Sequence, residues 1–487
     1  MNEMLYELKP ERLWFYFGEV LRIPRPSKKE EKIIEYLVKF GNKHGLETLR
    51  DQVGNVVLRK PATKGYEKAP WVCLQGHVDM VCEKDPESSH DFDKDAIETY
   101  IEDGWLKAKG TTLGADNGIA VATMLALLEA NDIGHGPLEC LFTIDEETGL
   151  TGAFGLDPEL LKSRILLNLD SEDDGEFFIG CAGGKDTVIE IPYKKDPVPA
   201  GYETLRVKVS GLQGGHSGDD IHRNRGNANK ILNRFLWESN KKYGIRLASF
   251  DGGNLRNAIA RDAVAVFLIP DGYAKAVVHD LESYQDEIRF EFRVSEPELK
   301  IMIELFEKPD FVFDKITQDY LLNALYACPH GVMAWSQDIP NFVETSTNLA
   351  SVKLQNGTLR IATSQRSSIE SAKEDVCQMV ASVFSMIPGV QIVHSDGYPG
   401  WAPNPNSKVL DLCVRSYEEL FGQMPVVRAI HAGLECGLIG DKYPGMDMIS
   451  YGPTMRGVHS PSERLEISTV EKFWNLTLEL LKKIAAN

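Results

Sequence analysis

Three consecutive acids, Asp145, Glu146 and Glu147, close the apolar run in the stretch LECLFTIDEETG (138–149). An acidic triplet is ordinarily a solvated loop. Here it caps a strand that reads as buried, Leu138 to Ile144, and repelling carboxylates at such a place call for positive charge among them. Two neighbouring glutamates can divide the work of a metal hydrolase, one ligating the ion and the other acting as general base on metal-bound water. Four further positions carry matching groups: His77 in GHVD, Asp116 in LGADNG, Asp170 after the apolar run Arg164–Leu169, and His459 in GVHSP. Strand alternation places His77 and Asp79 on one face, where the carboxylate can orient the imidazole. Each residue alone has an ordinary reading, a hydrogen-bonded histidine or a turn aspartate. Together they predict a metal site assembled at strand ends.

The elements that must position these groups read as strands at Asn55–Leu58, Trp71–Leu74, Leu138–Ile144 and Arg164–Leu169, with a helix from Ile119 to Ala130. Short loops and functional groups at carboxyl ends are the pattern of an open α/β sheet. Upstream, Ser27-Lys28-Lys29-Glu30 has the form of a capping box ahead of an apolar face at Ile33, Ile34, Leu37 and Val38. From 186 to 395 the pattern changes. Leu205–Val209 and Ile288–Val294 alternate as strands, and Leu349–Leu354 and Leu359–Thr363 flank Gln355-Asn356-Gly357-Thr358, a hairpin signal of type I′. Helices are expected near Asn227–Glu238, Gln318–Ala327 and Ser371–Phe384. This is an inserted α+β domain. After the turn-rich DGYPGWAPNPN, α/β patterning returns over 396–487, with a helix near Ser407–Phe421, strands Val426–Ile430 and Met446–Ser450, and a capped helix from Ser468. The first and last segments, 1–185 and 396–487, are thus read as one domain.

Composition removes several classes of function. A formal charge of −19 argues against nucleic acid and anionic membranes as partners. No apolar run approaches the roughly 20 residues that span a bilayer, and the start lacks the basic and apolar regions of a secretory signal. The eight cysteines are scattered, with no C-x-x-C pair. A reducing cytoplasm without disulfides is the expectation. Neither a G-x-x-x-x-G-K-[ST] loop nor a strand followed by G-x-G-x-x-G occurs, which removes nucleotide chemistry.

GHVDMV, GADNG, DEETG, NLDSED and GVHSPSE, in this order, resemble the metal-site motifs of the dinuclear zinc peptidases related to aminoacylase and carboxypeptidase. Within that family, HGVMAWSQDIPNFVETSTNLA (330–350), ATSQRSS (362–368) and HAGLECG (431–437) are most similar to the aminoacyl-histidine dipeptidases. The resemblance implies a zinc-dependent exopeptidase-type α/β catalytic domain with an inserted α+β lid. It implies two Zn²⁺ per chain, with Co²⁺ or Mn²⁺ as substitutes: His77 and Asp170 on one ion, Glu147 and His459 on the other, and Asp116 bridging. Glu146 would be the general base and Asp79 the support of His77. His216 in LQGGHSG, by itself a turn histidine, matches the lid histidine that stabilises the developing oxyanion. Asn257 in GNLRNAIA and Arg366 in SQRSS match residues that hold a substrate carboxylate, and Gly433 in HAGLE would let backbone approach the substrate. Asn117 departs from the pattern, standing where many relatives carry a second aspartate.

The implied activity is hydrolysis of dipeptides, preferentially Xaa-His and including β-alanyl-histidine, by attack of zinc-bound hydroxide. A small peptide is the partner, and family analogy implies a homodimer. The rival readings are a tripeptidase, an N-acyl amino acid deacylase or a carboxypeptidase on the same site. A non-catalytic metal- or peptide-binding module is a further rival, which the retained Glu146 opposes.

Overall fold

The computed structural model describes residues 3–355 and 357–486. The chain divides into two compact units. One comprises 1–180, 403–429 and 434–487, and the other 181–402 and 430–433. The sequence boundaries at 185/186 and 395/396 fall a few residues inside these limits. The strand Gly183–Pro192 already belongs to the second unit's sheet, and the isolated bridges Cys181–Trp401 and Gly184–Tyr398 keep 396–402 with it.

The first unit is built on an eight-stranded sheet in the order Glu47–Arg50, Val56–Lys60, Leu138–Thr143, Val72–His77, Ile165–Asn168, Asp447–Ser450, Glu176–Cys181, Val426–Ile430. Val72–His77 lies parallel to both Leu138–Thr143 and Ile165–Asn168, and Asp447–Ser450 is parallel to Ile165–Asn168. The register pairs His77 with Thr143 and Gln75 with Asn168. Parallel strands bring their carboxyl ends to one edge, and that edge is where open α/β sheets carry their sites. Glu146 and Asp170 therefore emerge beside His77. The helix Ala115–Glu129 is buried from Asn117 to Leu128, which explains its apolar character on every side. A smaller sheet joins Met455–Arg456, Arg464–Glu466, Trp105–Ala108 and Thr99–Glu102, and its first two strands pair antiparallel so that His459 sits in the loop between them.

One local expectation fails. The helix Glu31–Lys43 starts without a side-chain cap bond, so Ser27-Lys28-Lys29-Glu30 is not a capping box. The Ser27 hydroxyl instead donates to Asp79 Oδ2 at 2.8 Å, and Glu30 Oε1 accepts from the N–H of Lys28 and Asp145. The last helix begins at Ile467, one residue before Ser468, whose hydroxyl donates to Glu466.

The second unit carries a nine-stranded sheet. Lys300–Leu305, Tyr202–Ser210, Ala263–Pro270, Arg246–Gly252, Val343–Gln355, Thr358–Ser367, Gly183–Pro192 and Gln391–His394 run in that order, with Gly331–Trp335 paired off Val343–Gln355. All its pairings are antiparallel. Helices Ala228–Tyr243, Ala274–Glu291, Lys315–Ala327 and Glu370–Ser385 contribute to its apolar core. The hairpin forms, with Gln355 opposite Thr358. Asn356 lies outside the described residues, and Gly357 adopts φ +81°. Ile288–Val294 is not a strand. Its first four residues end the helix Ala274–Glu291, whose buried face is Val277, Leu281, Tyr284 and Ile288, and the rest belong to the turn that follows. Phe290 and Val294, 70% and 86% exposed, supplied the misleading alternation.

Candidate metal centre

Two buried aspartates, Asp145 and Asp79, fix the acidic corner at the end of the strand Leu138–Thr143. Asp145 turns inward with φ +48°, and its carboxylate accepts the hydroxyls of Thr148 and Thr151. Its neighbours Glu146 and Glu147 are thereby released towards His77. Asp79 ties the two loops together. Its Oδ1 accepts the Glu146 N–H at 3.0 Å and its Oδ2 the Glu147 N–H at 3.3 Å, while Oδ1 lies 3.3 Å from His77 Nδ1. Burial pushes the Asp79 carboxyl up, but His77, the Glu146 N–H and Ser27 outweigh it and bring the pKa to about 2. Asp79 is thus a carboxylate aimed at the far side of an imidazole, the arrangement that makes the other ring nitrogen a ligand.

Asp116 stands between two histidines. Its Oδ1 is 3.0 Å from His77 Nε2 and its Oδ2 is 3.1 Å from His459 Nε2. Asp170 Oδ1 lies 3.4 Å from His77 Nε2, and Glu147 Oε2 lies 2.9 Å from His459 Nε2. His77, Asp116 and Asp170 form one group whose ligand atoms lie within 4.8 Å of one another. Asp116, Glu147 and His459 form a second that shares Asp116, and His77, Glu146 and Glu147 a third. The donor set, imidazole and carboxylate, suits divalent metal ions, zinc among them.

The electrostatics fit bound cations. Burial raises Asp170 to about 6, with Asp116 and Glu147 adding to it against His77. Burial likewise lifts Glu146 well above the usual carboxylate range, with Asp170, Glu435 and Glu147 reinforcing it. The Glu147 Oε1 oxygen is buried without a hydrogen-bond partner among the described residues. Four carboxylates crowded beside two imidazoles are unfavourable as bare charges and are compensated by divalent cations.

Further residues build this corner, and of these sequence reasoning had singled out Asn117 alone. Glu463 accepts the N–H groups of Leu113 and Gly114 on Oε2 at 2.8 and 3.0 Å, and of Ala115 and Asp116 on Oε1 at 2.8 and 3.4 Å. It lies in GVHSPSE, so its spacing from His459 was the available signal. Arg25, fully buried, donates to the carbonyls of Val78, Asp79 and Gly114, pinning the loops of Asp79 and Asp116 to each other. Asn117 Nδ2 donates to the Leu169 carbonyl at 2.9 Å, immediately before Asp170. An aspartate could not make that bond in its ionised form, which gives the departure at Asn117 a physical role. Gly76 makes room for it, since a Cβ there would lie 2.3 Å from Asn117 Oδ1. Glu435, buried, accepts from Gln75 and Thr143 beneath the strand ends.

The remaining expected residues lie in the second unit. His216 Nδ1 faces the N–H groups of Gly218 and Asp219 at 3.3 and 3.2 Å and Asp219 Oδ2 at 3.2 Å, and its Nε2 is 3.5 Å from Arg366 Nη2. Arg366 is 7% exposed and also donates to the Tyr398 hydroxyl at 2.9 Å. Asn257 is exposed, and its backbone carbonyl accepts the Ser217 N–H at 2.8 Å, alongside the His216–Ala258 bridge. Gly433 has a packing reason of its own: a Cβ there would lie 2.9 Å from Tyr398 Cε2.

Residues 73–483 match the sequence profile of Peptidase family M20/M25/M40. The chain is 42% identical over 482 residues, 99% of each protein, to the cytosol non-specific dipeptidase of Escherichia coli (strain K12). The crystal structure of aminoacylhistidine dipeptidase from Vibrio alginolyticus superposes with a TM-score of 0.94 at 42% identity, covering 99% of both chains. The aminopeptidase PepT of Bacillus cereus ATCC 10987 shares the fold at 17% identity, with a TM-score of 0.58 over 98% of this chain and 99% of its own.

Proposed function

We propose, from the premise that this chain belongs to peptidase family M20/M25/M40, that it is a dinuclear zinc dipeptidase that prefers Xaa-His substrates, β-alanyl-histidine included. One observation carries the reading: Asp116 offers one carboxylate oxygen to each of two histidines, at 3.0 and 3.1 Å, within two ligand groups that share it. His77 and Asp170 would hold one zinc, Glu147 and His459 the other, and Asp116 both. Bound there, the two ions would polarise the scissile carbonyl and acidify the attacking water.

The chain's own residues supply the rest. Glu146 takes the proton from the attacking water and returns it to the leaving amine, so its carboxylate is regenerated each turnover. Asp79 keeps the His77 ring oriented. His216 donates to the oxygen that gains charge during attack. Arg366, with Asn257, receives the free carboxylate one residue beyond the scissile bond, which selects dipeptides by chain end. Support for Arg366 comes from its own environment. It is a buried cation whose hydrogen-bond partners are a phenol and an imidazole, and its Nε has none among the described residues.

The names of the relatives favour a dipeptide substrate, and one of them is a dipeptidase of the cytosol. No disulfide joins the cysteines among the described residues, in keeping with a cytoplasmic setting. Assembly as a homodimer rests on the family resemblance. The direct test is turnover of a dipeptide panel by protein of defined zinc content. Preferred cleavage of Xaa-His dipeptides at two zinc ions per chain supports the proposal, and cleavage confined to longer peptides or N-acyl amino acids contradicts it.

A further inference from the structure

We propose that Tyr398 is the second donor of the carboxylate clamp, its phenolic O–H bonding the same substrate carboxylate that Arg366 holds, which makes it a specificity-determining residue. This rests on the reading of Arg366 given above.

Arg366 has five N–H donors. Among the described residues Nη1 donates to Tyr398 Oη at 2.9 Å, Nη2 faces His216 Nε2 at 3.5 Å, and Nε has no partner. Asp219 lies near enough for Arg366 to lower its pKa but makes no direct ion pair with it among the described residues, and a carboxylate bound directly to the buried guanidinium lowers the cost of burying the cation. Tyr398 Oη accepts from Arg366, so its own proton points away from the guanidinium, and no acceptor for it is recorded among the described residues. A phenol that accepts from a cation is polarised into a stronger donor. Arg366 and Tyr398 then present N–H and O–H groups to one anion while bringing only one positive charge, which matches the single charge of a carboxylate. Burial raises the Tyr398 pKa, so the phenol keeps its proton at neutral pH.

The ring is held for this task. A Cβ on Gly184 would lie 2.7 Å from three atoms of the ring and hydroxyl, and one on Gly433 would lie 2.9 Å from Cε2, so two glycines make the slot the ring occupies. Its backbone is fixed as well. Tyr398 N–H donates to the Gly184 carbonyl at 2.8 Å, and the Tyr398 carbonyl accepts from Gly184 N–H at 3.1 Å and Lys373 Nζ at 2.7 Å. A donor fixed before the ligand arrives loses little freedom on binding.

The experiment compares kcat/KM for β-alanyl-histidine and its C-terminal amide in wild type, Tyr398→Phe, Gly433→Ala, Arg366→Ala and the Tyr398→Phe/Arg366→Ala double variant. Tyr398→Phe should lower kcat/KM for the free acid about tenfold or more, mainly through KM, and leave the amide nearly unchanged, since the lost bond goes to a charged group. Gly433→Ala keeps the phenol but crowds its ring, so the acid-over-amide ratio should fall in the same direction. The double variant should lose less than the product of the two single losses, because both donors serve one carboxylate. An unchanged ratio in Tyr398→Phe and Gly433→Ala, alongside a lost ratio in Arg366→Ala, overturns the role of Tyr398 and leaves that of Arg366 intact. If Arg366→Ala keeps the wild-type ratio, the carboxylate is bound elsewhere and both assignments fall.

Discussion

Glu463 is bonded to the backbone that delivers Asp116. Its two oxygens take the N–H groups of four successive residues, Leu113 to Asp116, and fix the turn whose last side chain faces both histidines. Removing that acceptor leaves buried donors unsatisfied. Glu463→Ala should therefore cost about 3 kcal/mol in chemical denaturation, at the level of a broken buried network. It should also weaken metal retention at both positions, since Asp116 belongs to both ligand groups. A variant with normal stability and normal metal content contradicts this role.

Asp79 contacts the imidazole of His77, a proposed ligand, at 3.3 Å from Nδ1. Asp79→Asn keeps the shape but supplies one acceptor where the carboxylate supplies two, and it no longer draws the His77 Nδ1 proton. Metal affinity should drop about 10- to 100-fold, the usual loss when the partner of a ligating histidine is changed. Competition with a chelator measures it.

His216 belongs to the transition state in this account. His216→Ala should reduce kcat by about 10²–10³, the effect of losing one oxyanion donor, and change KM far less. Steady-state kinetics on a dipeptide decide it. A normal kcat returns His216 to the role of a turn residue.

Stripping the metals should make stability depend on pH in a defined direction. Asp170 at about 6 and Glu463 at about 7 both stand above their unfolded values near 3.9 and 4.3. Between those limits the folded state binds more protons than the unfolded chain, so metal-free stability falls as pH rises from about 4 to about 7. His459, raised by its contacts with Asp116 and Glu147 to about 11, acts in the same direction at higher pH. Thermal unfolding across that range should show metal-free protein losing stability with rising pH, and zinc restoring more at pH 7 than at pH 5.

The motif residues were legible in the sequence because an α/β sheet puts chemistry at strand carboxyl ends. His77, Glu146 and Asp170 each follow an apolar run that the structure shows as a parallel strand. What held them in place was less visible. Arg25 and Glu463 work through backbone groups of distant loops, about 50 and 350 positions away; Glu463 had its place in GVHSPSE as a signal, and Arg25 had none. Ser27 looked like a cap because its spacing to Glu30 was right, yet a buried carboxylate at Asp79 is the stronger acceptor for its hydroxyl. The alternation Ile288–Val294 failed for the opposite reason. Only Ile288 of its apolar positions is buried, on a helical face set by residues before the segment.

The central claim is that Glu146 moves protons while Glu147 holds metal, in a centre of two ions. Metal content and dipeptide turnover measured together on Glu146→Gln and Glu147→Gln test it most directly. Glu146→Gln should retain both ions and lose turnover by several orders of magnitude, whereas Glu147→Gln should lose occupancy at the His459 position. Equal metal loss in the two variants, or substantial turnover in Glu146→Gln with both ions bound, would contradict the account.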